Sequence, residues 1–177
     1  MTTERMRRGT RHGSAVVTLP SEREIEITRV FDAPARTVFT AFTTPELVKR
    51  WWAEEDDEWV VCVIDLRPGG RWRWVFRHGQ VEVGFHGEYR EVSAPHRLVY
   101  TELFEMPRAP LPEDTSPLTT LSLEEQDGAT TMTLRSQYPS VELRDLVLAS
   151  GMEEGMQESM DALEQLVTDT SVENSAS

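Results

Sequence analysis

The sequence predicts an α+β fold, a curved antiparallel sheet covered by a long helix at the C-terminal end, and three observations carry that reading. Stretches of alternating apolar and polar residues are joined by tight turns, two short helices interrupt them early, and the period switches from strand to helix at Val141. The 177 residues suit one domain, expected over 21–168, with a flexible arm over 1–20 and a disordered tail over 169–177.

The first strand begins near Glu22: Ile25, Ile27 and Phe31 share one face, and Glu24, Glu26 and Thr28 the other. It ends at Asp32, where Asp32 or Ala33 can cap a helix with Pro34 in its first turn. Ala35, Val38, Phe39 and Phe42 then recur at helical spacing. Thr44-Pro45 repeats the start signal, and Leu47, Val48, Trp51 and Trp52 give a second short helix one apolar side.

Five adjacent carboxylates, Glu54 to Glu58, repel one another and predict a solvated loop. Next comes a hairpin, Trp59–Leu66 and Arg71–Arg77, turned by Arg67-Pro68-Gly69-Gly70. Its second strand sets Trp72, Trp74 and Phe76 against Arg71, Arg73 and Arg77. Further strands are predicted at Val81–Val92, Leu98–Glu105, Leu118–Glu125 and Ala129–Ser136. The segment Gly84-Phe85-His86-Gly87 predicts a bulge, and the four prolines of Met106–Pro117 a long loop. From Val141 to about Val167 one long amphipathic helix is expected, carrying Met152, Met156, Met160 and Leu163. Such a helix is too narrow to cover six or seven strands, so a space between helix and sheet is expected.

Composition excludes several classes of function. The formal net charge of -13 repels polyphosphate and anionic lipid, so neither nucleic acid nor a membrane is an expected partner. The basic cluster Arg5, Arg7, Arg8 and Arg11 is confined to the arm. Cys62 is the single cysteine and the histidines form no ligand spacing, so no metal, disulfide or cofactor is expected. No nucleophile elbow, phosphate loop or dinucleotide glycine motif occurs. With no apolar signal at the start, a cytoplasmic protein is expected.

The sequence also resembles a known family. Ile27 to Pro34, Pro45-Glu46-Leu47, Trp51-Trp52, Pro68-Gly69-Gly70, Gly87 to Val92, Arg97 to Glu102 and Gly151 to Met156 follow in order the pattern of proteins similar to the activator of Hsp90 ATPase. The resemblance implies the START-like, Bet v 1-like helix-grip fold, with a hydrophobic cavity between sheet and last helix. Similar proteins carry a bulky aromatic where Met156 stands here. The family name suggests a co-chaperone or stress-response role, but the sequence has no room for the further N-terminal domain of the eukaryotic activators, and a chaperone interaction is not expected.

The leading expectation is a non-enzymatic protein that binds a small hydrophobic molecule. Trp52, Trp72, Trp74 and Phe76, with Phe85, Tyr89 and Tyr100, would supply a ring wall, and Met152, Met156 and Met160 adaptable thioethers opposite. Glu102 shares the parity of Leu98, Tyr100 and Phe104, which aims a carboxylate inward. Arg29 shares that of Ile25, Ile27 and Phe31. An Arg29–Glu102 pair, or an acid of raised pKa, is therefore expected. The alternative is a cyclase- or hydrolase-type enzyme using Glu102 with Tyr100 or Arg29. Homodimerisation, through a sheet edge or the 106–117 loop, is left open.

Overall fold

The computed structural model describes residues 13–105 and 111–175, with side chains through residue 169. Nine strands, not six or seven, form a continuous antiparallel sheet. They are β1 (Val16–Thr18), β2 (Glu24–Phe31), β3 (Glu58–Ile64), β4 (Arg71–His78), β5 (Val81–Ser93), β6 (Arg97–Thr101), β7 (Leu103–Glu105), β8 (Leu118–Gln126) and β9 (Ala129–Gln137). Their spatial order is β1-β2-β9-β8-β6-β5-β4-β3, and β7 extends the β6 side of β5. Helices α1 (Ala35–Thr43) and α2 (Pro45–Val48) follow β2; α3 (Val141–Ala149) and α4 (Met152–Ser175) close the chain.

The first strand behaves as its alternation demands: Ile25, Ile27, Arg29 and Phe31 are all buried. Pro34, rather than Asp32 or Ala33, is the N-cap of α1, and the Glu125 carboxylate of β8 accepts the Ala35 N–H at 2.9 Å. An acidic group thus meets the positive end of the helix. The Trp51 indole N–H donates to the Ala41 carbonyl at 3.0 Å, locking the chain after α2 under α1.

Three expectations about boundaries are corrected. Val16–Thr18, assigned to the arm, pairs with β2, and Gln157 of α4 exchanges two hydrogen bonds with the Ala15 backbone, at 3.1 and 2.6 Å. The arginine cluster of the arm lies outside the described residues. Helical backbone runs on to Ser175, beyond the expected start of the tail. The single long helix is two helices, because Gly151 adopts φ +79°, a left-handed conformation that ends α3 and restarts the chain as α4.

The Gly84–Gly87 segment is also corrected. The irregularity of β5 lies between Tyr89 and Glu91, and the two glycines answer a different need, close approach. A Cβ at Gly84 would strike the Glu105 carboxyl, and one at Gly87 the Thr101 carbonyl.

The core is uneven, and this positions the site. Toward β2, β8 and β9 it is solid: Phe31, Leu121, Leu123 and Met132 meet Val38 and Phe42 of α1 and Met160, Leu163, Leu166 and Val167 of α4, all buried. Met152 and Met156, in the first turns of α4, are only partly covered against the same core, as are Trp52, Phe85 and Tyr100.

Candidate functional site

Along β4, β5 and β7 aromatic rings are brought into line by the strand registers. Trp74 pairs with Phe85 and Phe85 with Phe104, so three rings lie in one row across β4, β5 and β7. Trp72 lies opposite Gly87, and Tyr89 opposite Tyr100. Trp52, delivered by the chain after α2, packs edge-on against Trp51, Trp74 and Phe85, at centroid distances of 5.6, 4.9 and 5.5 Å. Trp72 continues the chain to Trp74 at 4.9 Å and to Tyr100 at 5.9 Å.

Of the residues expected to meet a ligand, the structure separates two groups. Trp52, Phe85, Tyr100, Met152 and Met156 keep partial exposure beside the core. Trp72, Trp74, Tyr89 and Met160 are buried within it. Phe76 stands apart, against Trp59 at 5.6 Å. The Trp72 and Trp74 indole nitrogens are sealed and have no hydrogen-bond partner among the described residues; Trp72 Nε1 lies 2.7 Å from where a Gly87 Cβ would stand.

Two clefts of about 450 Å³ lie elsewhere. One is bounded by Arg71, Arg73, His86, Glu105 and Glu113, where Glu105 binds Arg73 through both oxygens at 2.7 and 2.9 Å. The other lies beside His96, Leu123 and Glu125. Neither cleft is the space expected between sheet and last helix, since no residue of α4 lines either.

The expected Arg29–Glu102 pair does not form. Arg29 donates to Asp161 of α4 at 2.6 Å. In the sheet, β2 and β6 are separated by β9 and β8, three strand spacings or about 14 Å, a distance that residue parity does not reveal.

Glu102 occupies the break between β6 and β7, with its N–H directed to the Pro117 carbonyl at 3.3 Å. The registers on either side, Tyr89 with Tyr100 and His86 with Leu103, set Glu102 across from Gly87, on the inner row that begins with Trp72. Its carboxyl lies deep in the protein, has no hydrogen-bonding or ionic partner among the described residues, and still retains accessible surface. Burial pushes its pKa up to about 7. The Tyr100 phenol is pushed well above its ordinary value by burial and then by the nearby Glu102 charge.

Tyr138, which the sequence reading missed, is raised to about 12 by burial and then by Glu102. A signal was available: Tyr138 continues the parity of the inward residues Met132 and Leu134 just past β9. Among the described residues no group of three or more His, Cys, Asp or Glu side chains could hold a metal ion, and no helix is long and apolar enough to cross a membrane.

A curved antiparallel sheet with short helices after its second strand and a long C-terminal helix is the helix-grip fold. The chain matches the family described as activator of Hsp90 ATPase homolog 1-like protein over residues 32–168, and it belongs to that family. Among solved structures, a crystal structure of a Rhodobacter sphaeroides protein is 27% identical, with a TM-score of 0.77 over 87% of this chain and 98% of its own. A solution structure from Staphylococcus epidermidis is also 27% identical, with a TM-score of 0.72 over 86% and 93%. A Mycobacterium smegmatis protein, 23% identical with a TM-score of 0.74 over 86% and 97%, shares the fold. Comparison with curated proteins gives no match.

Proposed function

We propose that this protein binds a small, largely apolar molecule between the ring wall of β4–β6 and the methionine-bearing start of α4. One observation carries the reading: Trp52, Phe85 and Tyr100 of the ring wall and Met152 and Met156 of α4 are partly exposed hydrophobics packed against the buried core. Rings and thioethers left partly uncovered within reach of one another are surface that a guest of matching shape would bury at roughly 25 cal/mol per Å². Thioethers adjust to an irregular guest more readily than branched side chains do.

The test is a titration of the full chain with Nile red, a neutral apolar dye. Binding at the wall enhances dye emission, quenches tryptophan emission through Trp52, and raises the melting temperature by mass action. Trp52→Leu and Met156→Glu should each weaken binding about tenfold or more. Unchanged affinity in both variants would overturn the placement.

A further inference from the structure

We propose that the guest of this site is an organic cation, its ammonium group seated against the Glu102 carboxyl between Tyr100 and Tyr138 and its apolar body lying on Trp52 and Phe85. The inference rests on the ring-wall reading above and names the chemistry of its occupant.

A carboxyl on the inner face calls for a partner, and among the described residues no cation is paired with it. Arg29 is held by Asp161. Arg73 binds Glu105 and Arg90 binds Glu88, both on the opposite face of the sheet. The neighbours of Glu102 in the strand registers are aromatic. Trp72 stands edge-to-face with Tyr100 at 5.9 Å, and Tyr89 with Tyr100 at 6.2 Å. The Glu102 charge reaches the Tyr100 and Tyr138 phenols. Ring faces carry the negative lobe of the aromatic quadrupole, so the carboxylate and the rings present the same sign to a guest. A cation is attracted by both, in a setting where water screens little. An anion is repelled by both, and a neutral donor gains a hydrogen bond alone.

The titratable groups facing Glu102 are Tyr100 of β6 and Tyr138 beyond β9, with Tyr89 of β5 behind Tyr100. All three phenols are held above their ordinary values and stay neutral near pH 7. Glu102, pushed up to about 7, is the group that ionises there. Cation binding draws on its charged form, so affinity should rise with pH below about 7 and level off above it.

The experiment compares 2-naphthylmethylamine, charged across this range, with the isosteric neutral 2-naphthylmethanol, by calorimetry on the full chain. The amine should bind about tenfold tighter than the alcohol near pH 8, an advantage that shrinks toward pH 5.5. In Glu102→Gln the alcohol should bind as before and the amine should lose its advantage. Equal affinities near pH 8, or an advantage that survives in Glu102→Gln, would overturn the proposal while the apolar site stands. Binding of neither compound would overturn both readings. If Glu102→Gln does not fold, the parent chain in two buffers of different ionisation enthalpy gives the same reading. About half a proton should be released per amine bound near pH 7, and none per alcohol; equal proton release for the two compounds would overturn the proposal.

Discussion

Arg29 of β2 meets Asp161 of α4 at 2.6 Å, so the buried cation of the first long strand is neutralised by the last helix. Asp161 also accepts the Gly13 N–H, at 2.9 and 3.1 Å, and one carboxylate therefore ties the N-terminal segment, the sheet and the helix together. Removing it takes one anionic partner from the buried Arg29. Asp161→Ala should lower stability by about 3–5 kcal/mol, read as a shift in the denaturant midpoint. The double variant Arg29→Met/Asp161→Leu should recover much of that loss, because both charges of the pair are gone. A loss under about 1 kcal/mol in the single variant would mean that the contact stays solvated.

Glu102 sets a second expectation, on stability against pH. Its folded pKa lies above that of an unfolded glutamate, at about 7. Below the unfolded value both states hold the proton and the site costs nothing. As pH rises, the unfolded chain releases its proton first, so stability falls until pH passes about 7 and then levels. The gap amounts to about 3 kcal/mol. Glu102→Gln removes the titration, and its stability relative to the parent should grow by about that amount between pH 4 and 8 in paired urea melts. A difference independent of pH would contradict the enclosed, unpartnered carboxyl.

Two glycines should respond in opposite directions. Gly87 lies against the Thr101 carbonyl and the Trp72 indole, where an added methyl has no room, whereas Gly155 of α4 faces open space. Gly87→Ala should destabilise by about 1–3 kcal/mol through overpacking. Gly155→Ala should stabilise by about 0.5–1 kcal/mol through helix propensity. Thermal melts of the two variants read both signs at once.

How much of this was legible in the sequence follows from what each signal encodes. Alternation reports which face a residue takes, so the inward set Ile25, Ile27, Arg29 and Phe31, and Glu102 beside Tyr100, could be read directly. It does not report which column of the sheet a strand occupies. Arg29 and Glu102 consequently looked like neighbours while three strand spacings separated them. Helical periodicity persists on both sides of Gly151, and only the backbone conformation of that residue divides α3 from α4. The three residues of β1 are too few to show a period, and hydrogen bonds to Gln157 fix the chain beside them. The aromatic wall was visible as composition. Which of its rings stay open depended on where α4 stops covering the sheet, a tertiary fact.

Met152 and Met156 report most directly on where a guest sits. With ε-methyl labels on methionine, titration of the full chain with 2-naphthylmethanol should shift the Met152 and Met156 resonances through the ring current of a bound naphthalene. The Met132 methyl, sealed at the solid end of the core, should stay in place. Saturating binding that leaves Met152 and Met156 unmoved would place the guest in one of the two outer clefts and contradict the ring wall as the site.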